Sequence, residues 1–259
     1  MNFNLPFIPE RPEKPRTTGI AMVMDKGLST RDAENLCEIG GHLIDFLKFG
    51  FGTSLVSKNI KEKIKIYRDH GIRPYFGGTL FESFLIRGMF DEYRRYVDMY
   101  GLDLVEISDG SMILDHDKKC EYIEQLSKNY TVISEVGSKD EGIMITPARW
   151  IKMMKNELQA GAFKVIAEAR ESGTVGIYRP NGSAHVVLIN KILSSLNGDD
   201  IIWEAPNKAQ QVWFIKLLGP NVNLGNIAPA EIISLETIRL GLRGDTFYQF
   251  LPEELHPEE

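Results

Sequence analysis

The sequence predicts an α/β fold, a single-domain (β/α)8 TIM barrel, and three observations carry that prediction. From residue 19 onward, short runs rich in Val, Ile and Phe alternate with helical patterns. The alternation fills the chain with units of about 30 residues, and no Pro/Ser/Gly-rich linker divides it. Neither GxGxxG nor GxxxxGKS/T occurs, so the competing architecture, an open doubly wound sheet, lacks its phosphate-binding signature.

Residues 1–18 form an extended arm, because Pro6, Pro9, Pro12 and Pro15 disfavour both helix and sheet. The barrel spans 19–250. Its strands are expected at Ile20–Met24, Leu43–Phe49, Arg73–Phe76, Leu104–Ile107, Thr131–Glu135, Phe163–Glu168, Ile201–Glu204 and Val222–Leu224. Among the intervening helices, Ser29 or Thr30 caps the first and Ser57 the second. Thr146 with Pro147 at the first helical position starts another, as does Ser183. Glycines at 40, 41, 71, 101, 161, 198 and 219 follow helices, where a residue of positive φ belongs. Residues 251–259, LPEELHPEE, read as an acidic tail.

A net charge of −6 disfavours a nucleic-acid surface while leaving room for a local basic pocket. Cys37 and Cys120 have no paired spacing and read as reduced thiols. The N-terminus lacks a signal peptide's basic start and apolar run, and no apolar stretch approaches the ~20 residues that cross a bilayer. The expected location is the cytoplasm, with no membrane partner.

A barrel's active site lies at the C-terminal ends of its strands. Those positions hold Asp25-Lys26, Lys48, Gly77-Gly78-Thr79, Glu106 with Ser108-Asp109, Glu135, Glu168 with Arg170, Glu204, and Asn223 with Asn226. Strands four to seven all end in glutamate. Converging carboxylates repel unless protonated or bound to a cation, and Mg²⁺ suits oxygen ligands. The five histidines show no zinc-ligand spacing. Lys26, Lys48, Lys139, Lys164, Arg170, Lys208 and Arg243 gather cations near the same rim, which implies a small anionic substrate; salt bridges to neighbouring glutamates are the plainer reading. Lys48 and Lys164 stand out because each interrupts an apolar strand. Glycine-rich stretches at 49–54, 77–79 and 224–226 let backbone N–H groups approach an anion. Period-two alternation puts Lys164, Ile166 and Glu168 on one face, taken as inward, with Ser172-Gly173 freeing the following loop to close.

The stretches KPRTTG and VMDKGL (14–28), LKFGFGTS (47–54), ISDGS (107–111), SEVGSK (134–139), EARESG (168–173), WEAPNKAQQ (203–211), VNLGNI (222–227) and ISLETIRLGLRGDTF (233–247) resemble the phosphosulfolactate synthase family. The likeness runs from about residue 14 to 250. It implies a (β/α)8 lyase of coenzyme M biosynthesis that adds sulfite to phosphoenolpyruvate with Mg²⁺, giving (2R)-phospho-3-sulfolactate through an enolate-like intermediate, and that assembles as a homotrimer. Glu106, Glu135 and Glu168 are then assigned to the metal, directly or through water. Lys139 is the proton donor, with Lys164 the next candidate. Arg170 and Arg243 contact anions, together with Ser172, Gly173, Asn223, Gly225 and Asn226, and Asp25, Lys26 and Lys48 complete the rim. Two other functions stay open: a Schiff-base aldolase using Lys164, and a diverged stress-associated binding protein.

Overall fold

The computed structural model describes residues 2–137 and 145–257. Eight parallel strands form one sheet in the order β3-β2-β1-β8-β7-β6-β5-β4. They are β1 (Ala21–Asp25), β2 (Phe46–Phe49), β3 (Arg73–Phe76), β4 (Leu104–Ile107), β5 (Thr131–Val136), β6 (Lys164–Ala167), β7 (Ile201–Glu204) and β8 (Leu224–Ile227). β3 and β4 lie side by side. Among the described residues no backbone ladder joins them, and Arg73 spans the seam through Asp103 Oδ2 (3.0 Å) and Thr131 Oγ1 (2.8 Å). The sheet is thus a nearly closed (β/α)8 barrel.

Alternation along each strand builds two cores. Ile20, Met22, Phe46, Tyr75, Leu104, Ile133, Ile166 and Ile202 fill the barrel interior. The opposite faces, among them Val23, Leu47, Val105, Val165 and Trp203, pack beneath the helices. Those helices are α1 (Thr30–Gly40), α2 (Ile60–Asp69), α3 (Gly78–Leu85), α4 (Phe90–Met99), α5 (His116–Ser127), α6 (Pro147–Gln159), α7 (Val186–Leu193), α8 (Lys208–Leu218) and α9 (Ile232–Arg239).

Ser29 caps α1 in a reciprocal box with Asp32, and Thr146 caps α6 with Pro147 behind it. Other expected boundaries move. A 3₁₀ turn at Gly41–Leu43 delays β2 to Phe46. A further 3₁₀ segment spans Gly50–Leu55, and α2 starts after Asn59 rather than after Ser57. Ser183 sits in a turn bonded to Asn181, between the bridged residues Tyr178 and Ala184, and α7 begins at Val186. β8 begins at Leu224, and β6 is the shorter Lys164–Ala167.

The N-terminal arm closes the barrel's lower end. Arg11 Nε donates to Glu236 Oε1 (2.8 Å), Lys14 Nζ to Gly41 O (3.1 Å) and Arg16 Nε to Asp45 Oδ1 (2.9 Å). Arg239, fully buried, donates to Val222 O (2.7 Å) and Ile20 O (3.2 Å), and burial pulls its pKa down to about 9. Leu255, in the tail, shares an apolar groove with Leu5, Phe7, Phe247 and Phe250. Cys37 and Cys120 are free thiols. Among the described residues no helix is long and apolar enough to cross a membrane.

Candidate active site

A cavity of ≈ 740 Å³ opens at the C-terminal end of the strands. Its floor is set by the same alternation that fills the barrel. Two residues above the inward Phe46, Leu104, Ile133, Ile166 and Ile202 stand Lys48, Glu106, Glu135, Glu168 and Glu204, all buried.

Lys48 Nζ lies 3.0 Å from Glu106 Oε1, 3.3 Å from Glu135 Oε2 and 3.6 Å from Glu204 Oε1. Burial would lower its pKa, but the three carboxylates outweigh burial and hold the ammonium charged, with its pKa well above the ordinary value. Burial raises Glu106, against the pull of Lys48. Glu204 is pushed up to about 8 by burial, opposed by Lys48 and reinforced by Glu135. Its Oε2 accepts the Ala169 N–H at 2.8 Å, while Tyr178 OH donates to its main-chain carbonyl at 2.7 Å.

The Gly77-Gly78 pair is a steric requirement. Gly78 N donates to Glu106 Oε1 at 2.6 Å. A Cβ there would lie 2.7 Å from that oxygen and 2.6 Å from Ser108 Cβ, and one at Gly77 would lie 2.9 Å from Phe49 O. The glycines therefore let the start of α3 press against the glutamate rather than form an open anion cradle.

The cavity brings together Lys48, Glu135, Glu168, Arg170, Ser172 and Asn226, with Glu106 directly behind Lys48. Lys26 stands at the mouth, paired with Glu171. Other expected members lie elsewhere. Asp25 projects from the outer face of β1, where Lys63 (2.5 Å), Tyr67 OH (2.9 Å) and the N–H groups of Gly27 and Leu28 (both 2.8 Å) hold it; it shapes the turn. Lys164 points inward but at the opposite end of the barrel, donating to Asp199 O (2.7 Å) and lying 4.6 Å over the Phe163 ring, and burial lowers its pKa. Asn223 is beside it, bonded to Asp199 O (2.9 Å) and Ile20 N (3.1 Å). Gly225 packs against Met22 and Ile202 inside the barrel.

Ser172-Gly173 does not free its loop. Gln210 Nε2 donates to Gly173 O (2.8 Å) and Asn207 Nδ2 to Ser172 O (3.1 Å), pinning it to the start of α8. Arg243 follows α9, outside the cavity lining, near Asp245, which pairs with Lys208 at 2.6 Å. Lys139 lies outside the described residues.

The donor set suits a hard cation. Carboxylates of Glu135, Glu168 and Glu204 and the amide of Asn226 face one space, without thiol or imidazole. Asn226 Oδ1 is buried without a hydrogen bond among the described residues. Among those residues no group of three or more His, Cys, Asp or Glu side chains is arranged to hold a metal ion by itself. Mg²⁺ needs none, since it commonly takes one or two carboxylates and completes its shell with water and substrate phosphate.

Glu204 is a strand-ending glutamate outside the expected ligand set, although its alternation with Ile202 marks it as inward. Lys63, Glu82, Lys119 and Glu157 gave no signal. They are buried charges on helices, where a polar residue reads as solvent-facing.

The family model for (2R)-phospho-3-sulfolactate synthase (ComA) matches residues 9–245. A phosphosulfolactate synthase of Methanothermobacter thermautotrophicus is 44% identical over 244 residues, 92% of this chain and 95% of the relative. One from Bacillus subtilis is 41% identical, covering 93% and 97% respectively. Among solved structures, a 3-hexulose-6-phosphate synthase superposes with a TM-score of 0.56 at 13% identity, covering 85% of this chain and 99% of that one. It shares the fold alone.

Proposed function

The chain belongs to the (2R)-phospho-3-sulfolactate synthase family, and we propose that it is a carbon–sulfur lyase adding sulfite to phosphoenolpyruvate in a Mg²⁺-dependent reaction. The observation that carries the proposal is the convergence of Lys48, three strand-end glutamates (Glu135, Glu168 and Glu204) and Arg170 on one cavity, with Glu106 behind Lys48. Its volume suits a small ligand.

In the proposed reaction the sulfite sulfur attacks C3 and forms the C–S bond. The C2=C3 π pair moves onto the carboxylate as an enolate-like system, and a proton added to one face of C2 gives (2R)-2-phospho-3-sulfolactate. Arg170, which lines the cavity, is assigned to pair with an anionic group of the substrate, a role that suits a guanidinium. Lys48 supplies fixed positive charge near the carboxylate on which negative charge builds. Glu135 and Glu168, with Glu106 and Asn226 at hand, would hold Mg²⁺, which when bound would neutralise that developing charge. Lys139 is assigned as the proton donor to C2. Glu204 anchors the Ala169 N–H and so fixes the start of the loop that bears Arg170.

The placement of Lys164 at the far end of the barrel gives no support to a Schiff-base role. We extend the proposal to a homotrimer, a closed ring of a kind that buries exposed apolar groups such as Phe3, Phe7 and Phe247. The direct test incubates purified protein with phosphoenolpyruvate, sulfite and Mg²⁺ and follows the enol absorbance. Loss that requires sulfite is expected. No loss, where an authentic synthase turns over, rejects the proposal.

A further inference from the structure

Behind β5, on the side away from the cavity, lies a second buried charge cluster. Lys119, on α5, has a fully buried side chain. Its Nζ donates to the main-chain carbonyl of Glu135 at 2.6 Å and to Asp109 Oδ1 at 2.9 Å, and lies 3.0 Å from Glu157 Oε1 of α6. Burial would lower its pKa, but Glu157 and Asp109 outweigh burial and keep it charged. Two of the three partners lead directly to the active site, and the third belongs to a helix packed on the strands that carry it. Glu135 carries a carboxylate that faces Lys48, Asp109 precedes the cavity-lining Gly110 and Ser111, and α6 packs on β5 and β6.

An ammonium that only balanced Glu157 would not need the Glu135 carbonyl. A strand carbonyl that accepts a charge-assisted bond is held more tightly than one bonded by a neutral partner, and Glu135 carries its side chain on the same Cα. We infer that Lys119 is a positioning residue, fixing the height and rotation of Glu135 and the register of the 109–111 turn, and so the spacing of the groups around Lys48. The inference rests on the proposed synthase activity and concerns how the site is held, not what it binds.

The test compares Lys119→Met with the double variant Lys119→Met/Glu157→Met. The single change strands Glu157 in the interior, so stability and turnover should both fall. The double change replaces the buried Lys119–Glu157 pair with apolar side chains and should recover much of the lost Tm, the part-exposed Asp109 being left without its cation. With the Glu135 carbonyl still lacking its donor, kcat should stay about tenfold to a hundredfold low, with the KM for phosphoenolpyruvate within about twofold of the parent. Lys119→Arg, which keeps a charged donor, should recover much of the kcat. Recovery of kcat together with Tm in the double variant overturns the inference and leaves Lys119 a structural counter-ion. If the double variant does not fold, Asp109→Asn decides: an unchanged kcat overturns the inference, and a reduced kcat at unchanged KM supports it. If the parent protein has no turnover, it is the synthase reading that fails; weaker protection of the Glu135 region against hydrogen exchange in the double variant, or in Asp109→Asn where the double variant does not fold, then still supports the positioning role, and protection equal to the parent's overturns it.

Discussion

Replacing Lys48 by Met should destabilise the protein in a pH-dependent way, and the dependence can be worked from the geometry. The substitution removes an ammonium that stands 3.0, 3.3 and 3.6 Å from three buried carboxylates. At an effective dielectric constant near 20, each contact is worth on the order of 5 kcal/mol, but the three do not add. A carboxylate that loses its partner can take up a proton, and this caps the loss. Protonating one glutamate at pH 7 costs about 1.36 kcal/mol for each unit above its ordinary pKa of ~4.3, or roughly 4 kcal/mol. Glu204 is already raised to about 8 and adds little further, so Glu106 and Glu135 set the expected loss. Lys48→Met should therefore lose roughly 3–7 kcal/mol at pH 7 and only about 1–2 kcal/mol at pH 5. The sign follows from linkage: raising carboxylate pKa values makes the native state bind more protons than the unfolded one, so stability falls as pH rises. Urea unfolding followed by circular dichroism at pH 5, 6 and 7 measures the difference. A loss independent of pH, or one below about 1 kcal/mol at pH 7, would refute the view that the Lys48 ammonium offsets the burial of the neighbouring carboxyl groups.

Three further outcomes follow from particular contacts. Gly78→Ala places a methyl group against Glu106 and Ser108 and should cost about 1–3 kcal/mol with a marked loss of turnover; wild-type Tm and activity would show that α3 gives way freely. Glu204, with its pKa raised to about 8, favours the protonated native state, so metal-free protein should lose stability as pH climbs from about 4.5 and level off above 8. Glu204→Gln should flatten that slope in thermal melts, and an unaltered slope would place the titration elsewhere. Lys164→Met, which removes the bond to Asp199 O, should change stability by about 1 kcal/mol while leaving kcat within about twofold, and borohydride with a keto acid should trap no adduct on the parent protein.

Period-two alternation made much of the site legible. Once Ile133 and Ile166 are inward, Glu135 and Glu168 must be inward too, and the structure bears out that face. The same rule could have placed Asp25 outward, since Met22 faces in and Asp25 is three residues on. Alternation fixes the face but not the height. Lys164 shares the face of Glu168 yet stands four residues lower, about 13 Å along the strand, and so meets the closed lower end rather than the cavity. Loop attachments were not legible, because the anchors of Ser172 and Gly173 are Asn207 and Gln210, distant in sequence. Nor were the buried helix charges, because Lys119 and Glu157 become partners only when α5 and α6 pack together.

The measurement closest to the central claim is the structure of the product. The protein is incubated in D₂O with ¹³C-labelled phosphoenolpyruvate, sulfite and Mg²⁺, and the mixture is read by ¹³C and ³¹P NMR. The account predicts a new C3–sulfur bond, retained phosphate and one deuterium at C2 of a single configuration, all lost when Mg²⁺ is chelated. Release of inorganic phosphate with pyruvate, or unchanged phosphoenolpyruvate beside unconsumed sulfite, would contradict it.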